Sequence, residues 1–200
     1  MAMVILRNRQ RTKIPQRGNP MIYIGIDPAT AKQGIAIFDN EKLITAYSTK
    51  ELTNATLTKR ELEYAAVRHG FSLVGAKMGI EEWGQIKGNT NFNTGVKLER
   101  SGQTWAVIGE LLGCDVSRVN MSTWHSAYSI KQERFAGIST KQQAINLVKM
   151  AMRITCDADT ADAVLIADFV RRRPNMPVQQ VVTMTISRSA TSKSKKKSKV

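Results

Sequence analysis

Two short apolar runs separated by a polar turn lie near the beginning of the chain, in the stretch MIYIGIDPATAKQGIAIFDN. Isoleucine, tyrosine and phenylalanine are prominent in these runs, residues 21–26 and 34–38, which is typical of buried β-strands. Gly34 opens the second run, where the missing side chain lets another part of the chain approach closely. Residues 42–48 predict a third strand after a short turn. The pattern therefore predicts three neighbouring antiparallel strands.

Helical spacing of apolar residues, interrupted by short strand-like runs, predicts the rest of the fold. The first of these elements are a helix from a capping box at Thr58 to about Val74 with His69 on its apolar face, a strand over residues 76–83, and a loop over residues 84–95. They are followed by a helix over residues 96–112 that Gly113 ends, a strand over residues 116–123 and an irregular region. The last two elements are a helix capped at Ser139 and a final helix that Pro174 ends, with Asp157 as its candidate N-cap. The order βββαβαβαα predicts a mixed α/β fold.

Charge is distributed unevenly along the 200 residues, which carry a formal net charge of +14. Residues 1–20 hold five basic residues and no acid, and residues 187–200 hold six and no acid, so +3 remains for residues 21–186. Two basic ends on a near-neutral body favour nucleic acid as a partner, with an anionic membrane surface or simple solubilisation as alternatives. The predicted division is a basic extension over residues 1–20, a folded domain over residues 21–174 and an extended, Ser/Lys-rich tail over residues 175–200.

Cysteine content and hydropathy further restrict the class of protein and its expected location. The chain contains Cys114 and Cys156 as its two cysteines and no CxxC motif, which argues against a disulfide-stapled secreted protein and against a zinc site. No apolar run approaches the length of a membrane span, so we expect no membrane partner. The expected location is the cell interior, in the cytoplasm or with the nucleoid. It would be the nucleus if the Lys-rich tail acts as a nuclear-localisation signal.

Acidic side chains occur where predicted strands end. Asp27 ends the first strand and Glu81 a later one, while Asp159 and Asp162 are three apart and share one face of the final helix. Four carboxylates favour Mg²⁺, with Mn²⁺ as a substitute, and two such ions about 4 Å apart can promote phosphodiester cleavage. The set indicates a magnesium-dependent nuclease. The structural alternative is turn chemistry at Asp27 and helix-dipole stabilisation by the two later acids.

The series IGIDPATAKQGIAIF, GIEEW and DTADAVLIADF resembles the RuvC family of Holliday junction resolvases, within the ribonuclease H-like superfamily. The resemblance covers about residues 21–170. It implies a five-stranded mixed sheet flanked by helices, and a homodimer that acts on four-way DNA junctions. It also implies that the metal-binding catalytic carboxylates are Asp27, Glu81 (chosen over Glu82 because it follows Ile80), Asp159 and Asp162.

The resemblance further implies DNA contacts and a dimer interface. Lys141 matches a family lysine that meets the phosphate near the scissile bond, and residues 96–112 match the interface helix, with Trp105 and Leu112 as candidate contacts. Ala29 replaces the usual glycine after Asp-Pro, and Gly84 stands where the family has an aromatic that enters the junction. Other side chains must take over that wedge role and the role of a second family basic residue. The candidate DNA contacts are Trp83 or Phe92 as the wedge, Lys131 or Arg134 as the second cation, Lys87 in the loop, and Lys141.

The sequence thus predicts a crossover junction endodeoxyribonuclease that needs Mg²⁺ and uses no nucleotide cofactor. It would make symmetric nicks that leave 5′-phosphate and 3′-hydroxyl ends. A broader branched-DNA nuclease and an RNA–DNA hybrid nuclease are alternatives, because the same carboxylates serve each substrate. An actin-like or sugar-kinase-like phosphotransferase also has a strand-Asp hairpin, but the chain length and the Asp-x-x-Asp-Ala motif argue against it. A non-catalytic nucleic-acid-binding protein is the remaining alternative, although clustered carboxylates repel phosphate in the absence of metal.

Overall fold

The computed structural model describes residues 21–50, 54–82, 92–131 and 137–173. The strands are β1 (Ile22–Asp27), β2 (Gln33–Asp39), β3 (Lys42–Thr49), β4 (Lys77–Glu82) and β5 (Asp115–Asn120). The helices are α1 (Ala55–His69), α2 (Phe92–Leu111), α3 (Met121–Ala127), α4 (Thr140–Met152) and α5 (Ala158–Arg172). The strand order is β3-β2-β1-β4-β5, with β1, β2 and β3 antiparallel and β4 and β5 parallel to β1. The predicted five-stranded mixed sheet is confirmed.

Helices cover both faces of the sheet, because side chains along each strand point alternately to opposite faces. On one face, Ile24 and Ile26 pack with Leu62 of α1 and Trp105 of α2. On the other face, apolar side chains of α3, α4 and α5 form a second core that includes Phe38. In the described ranges no helix is long and apolar enough to cross a membrane.

Helix α5 lies directly on the sheet because two strands present glycine beneath it. A Cβ on Gly25 of β1 would lie 2.1 Å from the carbonyl oxygen of Ala163, and one on Gly34 of β2 would lie 2.0 Å from that of Asp159. Both distances are well inside van der Waals contact, so no other residue fits without displacing the helix. The close approach predicted at Gly34 is confirmed, and it brings the N-terminal turn of α5 to the end of β1.

Helix α1 differs from the prediction at both ends. Its N-cap is Asn54, whose side chain accepts a hydrogen bond from the Leu57 amide, while Thr58 is buried inside the helix. Gly70 ends the helix in the left-handed conformation, with φ of 70°. The predicted start at Thr58, the continuation to Val74 and the packed position of His69 are therefore wrong: His69 lies exposed in the last turn.

Other boundaries also shift. Helix α2 begins at Phe92, four residues earlier than predicted, and β5 ends at Asn120 rather than at residue 123. Asn120 instead caps α3 by accepting a hydrogen bond from the Ser122 amide, so the region expected to be irregular contains a helix. The caps predicted at Ser139 and Asp157 are confirmed. The predicted segments at both ends of the chain lie outside the described residues, so the domain division stays a prediction.

The contact between α5 and the sheet can be tested at Gly25. We expect Gly25→Ala to lower the free energy of unfolding by about 1–3 kcal/mol or more, because its methyl group would overlap the α5 backbone. Gly95→Ala in α2 is the control, since no atom lies within 4 Å of the added Cβ. It should be neutral or stabilise by up to about 1 kcal/mol through helix propensity. Urea denaturation of both variants measures this, and equal stability would contradict the close packing.

Candidate active site

Two parallel neighbouring strands end in carboxylates at the same edge of the sheet. Ile26 of β1 pairs with Ile80 of β4, so the next residues, Asp27 and Glu81, lie side by side on one face. Both are buried, with 8% of Asp27 and 7% of Glu81 exposed. Glu82 points to the opposite face because side chains alternate along the strand. The choice of Glu81 over Glu82 thus agrees with the strand geometry.

Helix α5 adds two more carboxylates from above this face. Asp159 and Asp162 lie in its first two turns, and Gly34 sets their height over the sheet through the contact with the Asp159 backbone. Asp162 and Asp159 are close enough to act electrostatically on Asp27 and Glu81. The fold therefore brings together the four carboxylates that the sequence analysis grouped.

Burial and mutual repulsion disfavour the charged forms of this cluster. Burial raises the pKa of Asp27 well above its ordinary value, and Glu81 raises it further, both through its charge and by accepting a hydrogen bond from the protonated Asp27. Burial and the charge of Asp162 raise the pKa of Glu81 to about 7, against the opposing effect of its hydrogen bonds. Burial and the charge of Asp27 raise the pKa of Asp162 to about 8. Such perturbed carboxyl groups are typical of functional sites.

A lysine ammonium group contacts the carboxylate cluster. Lys141, in the first turn of α4, lies with its Nζ 3.5 Å from Asp159 Oδ1 and is largely exposed. Its positive charge opposes the rise in the pKa of Asp27, Glu81 and Asp162. Lys141 thus stands at the solvent side of the site.

Trp124 of α3 is a site residue that the sequence analysis missed. Its side chain is fully buried, and its indole Nε1 donates a hydrogen bond to Glu81 Oε1 at 3.0 Å. This bond orients the Glu81 carboxylate and lowers its pKa against the effect of burial. The region around Trp124 lacks clear periodicity, so the sequence offered no signal beyond the presence of a large aromatic residue.

The N-terminus of α5 is tied to the β-hairpin by a second polar cluster. Asp157, the N-cap, accepts from Lys32 Nζ at 2.5 Å and from Ser48 Oγ at 2.6 Å. Partial burial opposes ionisation here, but these hydrogen bonds outweigh it and hold the pKa of Asp157 well below its usual range. The contacts fix the start of α5, and with it Asp159, relative to β2 and β3.

A further acid on α5, Asp168, has a structural role. It is 1% exposed, and it accepts hydrogen bonds from Tyr128 at 2.7 Å and from Arg171 at 2.5 Å, with an ion pair to Arg172 at 2.7 Å. These partners satisfy the buried carboxylate and fasten the end of α3 to α5. The network therefore supports Trp124 without lying in the cluster.

The donor set fits a hard divalent cation. All four carboxylates offer oxygen, which Mg²⁺ and Mn²⁺ prefer, and a cation would relieve the repulsion that raises the pKa values of Asp27, Glu81 and Asp162. In the part of the chain that is described, no three His, Cys, Asp or Glu side chains already form a ligand cage. Asp27 and Glu81 share a proton through their hydrogen bond. Metal binding would require that proton to leave.

The remaining predicted DNA contacts have different positions. Lys131 is exposed, and its backbone is held by Gln143 of α4 through bonds of 3.0 and 2.7 Å. Helix α2 begins at Phe92, whose side chain is outside the description. The other three predicted contacts lie outside the described residues: Trp83, Lys87 and Arg134.

The predicted dimer contacts need a correction. Trp105 is 1% exposed, and its indole donates to Gln33 Oε1, so it belongs to the core and offers almost no surface to a partner. Leu112 is half-buried against the same core. The exposed apolar residues in this part of α2 are instead Val107 and Leu111. Helical spacing alone cannot separate a residue that packs inside the monomer from one that packs on a partner.

Comparison with known proteins identifies the fold. No protein-family model matches the chain, and no curated protein sequence matches it. Among solved structures, it is similar to Thermus thermophilus RuvC in complex with a Holliday junction substrate, with a TM-score of 0.57 and 15% identity over 76% of this chain and 96% of that one. A second Thermus thermophilus RuvC structure gives a TM-score of 0.56 and 16% identity, over 77% and 97% of the two chains. The yeast mitochondrial Holliday junction resolvase Ydc2 gives 0.51 and 10%, over 78% and 80%.

These similarities define the class of fold as ribonuclease H-like α/β. More particularly, the chain has the fold seen in RuvC, as the three sequence motifs predicted. The similarity extends over nearly the whole RuvC chain.

The raised pKa values predict how stability depends on pH. The folded protein retains protons on Glu81 and Asp162 that the unfolded chain releases near pH 4, so stability in EDTA should fall as pH rises from about 4 to about 8. The expected loss is on the order of a few kcal/mol. Asp162→Asn should flatten this slope, whereas Asp115→Asn, an exposed acid on β5, should retain it. A denaturation midpoint that does not change with pH would contradict burial as the cause.

Proposed function

We propose that the protein is a structure-selective endonuclease that resolves four-way DNA junctions. The observation that carries the proposal is the convergence of Asp27, Glu81, Asp159 and Asp162 at one edge of the sheet, with three of them held at raised pKa by burial and repulsion. The fold supports it, since one similar structure is of RuvC bound to a Holliday junction substrate.

The carboxylates would hold the catalytic metal. Two Mg²⁺ ions, or Mn²⁺ in their place, would supply activation of a water molecule and stabilisation of the leaving oxygen. Asp27 and Glu81 would bind from the rigid strand ends, and Asp159 and Asp162 from the helix. Trp124 would keep Glu81 oriented through its hydrogen bond.

Lys141 would attract the scissile phosphate to this edge. Its ammonium group lies beside Asp159 and faces solvent, so it can contact a phosphate oxygen without leaving the cluster. Hydrolysis in line would leave 5′-phosphate and 3′-hydroxyl ends. Because protons compete with metal for the carboxylates, cleavage should become more efficient as the pH rises through the raised pKa values.

Paired nicks on opposed strands require two copies of the site, and we propose that a homodimer supplies them. Val107 and Leu111 are spaced four residues apart on α2 and are both exposed, so they form an apolar strip on one flank of the helix. This strip replaces Trp105 as the proposed contact, and the half-buried Leu112 is kept as a contact beside it.

The catalytic assignment is tested with Asp27→Asn. We expect it to lower junction cleavage on the order of a thousandfold or more, because metal-derived transition-state stabilisation amounts to several kcal/mol. Binding to the junction in Ca²⁺ should persist. Cleavage of a synthetic four-way junction is compared with that of a linear duplex and an RNA–DNA hybrid, using Asp115→Asn as the matched control.

Paired nicks on the junction that vanish in Asp27→Asn support the resolvase. Preferential cleavage of the hybrid would keep the carboxylate site but change the substrate to RNA–DNA. Equal loss of cleavage and binding would contradict the catalytic role of Asp27.

The dimer is tested with Leu111→Glu, which places a charge in the apolar strip. Sedimentation velocity should show a shift from dimer to monomer, since burying an unpaired charge at an interface is unfavourable. Met150→Glu on α4 is the matched control, because Met150 is 73% exposed and Leu111 74%. A wild-type monomer, or the same effect from both variants, would contradict an interface at this strip.

A further inference from the structure

A polar cavity lies at the same edge of the sheet as the carboxylate cluster but on the opposite face, on the α2 side of the turn that follows Asp27. Its volume is about 330 Å³, and its walls come from that turn, from the N-terminal part of α1 and from α2. Its polar groups are hydroxyls, amides and two cations, Lys97 and Arg100, and no acid is among the described residues that line it. The cavity therefore has the opposite electrostatic character to the neighbouring carboxylates.

The α2 wall of this cavity is a single stripe of the helix. Arg100 and Ser101 lie three and four residues after Lys97, and four and three residues before Thr104, which keeps all four on one flank. Within the described ranges, neither Lys97 nor Arg100 has a carboxylate partner, whereas the intervening Glu99 faces Arg118 at 3.9 Å. Two cations that have no carboxylate partner in the described part of the chain, beside hydroxyl donors, make a site for an anion with several oxygen acceptors.

Two hydrogen bonds fix this wall to the active-site turn. Ser101 Oγ donates to the Ala29 carbonyl at 3.4 Å, and the Trp105 indole donates to Gln33 at the start of β2. Ala29 follows Asp27 by two residues, so their Cα atoms are at most about 7 Å apart. An anion in the cavity would therefore stand across the active-site turn from the carboxylate cluster.

The lining favours a phosphate over a base or a nucleoside. A base would need an exposed aromatic face on which to stack, and the aromatic side chain of this wall, Trp105, is buried and already hydrogen-bonded. Arg100 can contact two phosphate oxygens at once, with Lys97 as a second positive charge.

We infer that this cavity binds a backbone phosphate of the DNA strand being cut, close to the scissile bond. The inference rests on the proposed function and adds a second anchor to it. The carboxylates hold the reacting phosphate through metal, while Lys97 and Arg100 hold a neighbouring one directly. Contacts of this kind set the register of the strand without reading its sequence.

The first test measures junction binding in Ca²⁺ at several salt concentrations. Lys97→Ala/Arg100→Ala should reduce the slope of log affinity against log salt by about one, and affinity roughly tenfold near 0.1 M salt, as expected for one lost phosphate contact. The control is Arg68→Ala/Lys149→Ala, which removes an exposed arginine from α1 and an exposed lysine from α4. Thermal denaturation checks that both double variants fold. An unchanged slope in the cavity variant, or an equal change in the control, would overturn the inference.

The second test locates the phosphate. Neutral methylphosphonate linkages are placed one at a time along the cleaved strand. At one position near the scissile bond, the substitution should weaken binding by wild type but not by Lys97→Ala/Arg100→Ala. If the substitution weakens DNA binding by both proteins equally at every position, the cavity does not bind DNA phosphate.

Calorimetry with inorganic phosphate distinguishes a free anion from DNA. Saturable binding of phosphate that is lost in the double variant, without any position-specific effect in DNA, would assign the cavity to a free anion instead.

These outcomes are separate from those that test the proposed function, because binding is measured without cleavage. Paired cutting of junctions, with no position at which the methylphosphonate weakens wild type more than the double variant, would overturn the cavity assignment alone. A position-specific effect on a duplex or hybrid, with no junction cleavage by wild type, would support the cavity and contradict the resolvase.

Discussion

The rest of the site depends on the direct contact between the α5 backbone and strands β1 and β2. That contact exists because Gly25 and Gly34 carry no side chain where the carbonyl groups of the helix approach. A helix packed on ordinary side chains would stand several ångströms farther from the sheet, and its two acids would lose Asp27 and Glu81 as neighbours. The separation between helix and sheet is therefore the geometric variable that makes four separate carboxylates into one cluster. The Asp157 contacts with Lys32 and Ser48 fix the same helix in the direction along its axis.

Electrostatics distinguishes this cluster from the other buried acid on the same helix. Asp168 is surrounded by a tyrosine hydroxyl and two guanidinium groups, so its charge is compensated within the protein. Asp27 has as its hydrogen-bond partner another acid, and Asp162 faces Asp27 across the site. A buried acid with a full set of donors stabilises the fold, whereas buried acids facing one another destabilise it unless protons or cations are bound. The persistence of the second arrangement is a physical argument for function rather than structure.

Features set by local chemistry could be predicted from the sequence. The hairpin and the caps at Ser139 and Asp157 follow from neighbouring residues and were confirmed. The missing side chain of Gly34 correctly indicated a close approach, but not which element approaches. Features set by tertiary contacts could not. Asn54 and Thr58 both suit an N-cap, and the burial of Thr58 by the folded chain decides between them. Trp124 reaches Glu81 because the Asn120 cap starts a helix that periodicity does not reveal, and Trp105 is buried because α2 lies on the sheet.

The turn from Asp27 to Gln33 links two regions of opposite charge. On one side of it, buried carboxylates repel a phosphate backbone unless a cation is bound. On the other side, Lys97 and Arg100 attract the backbone with or without that cation. Ser101 and Trp105 connect the two regions through their bonds to Ala29 and Gln33. Under the proposed assignments, the protein backbone then sets the distance between the phosphate bound by Lys97 and Arg100 and the phosphate that is cleaved. The position of the cut relative to the branch would consequently follow from shape and phosphate spacing, with base contacts adding preference rather than register.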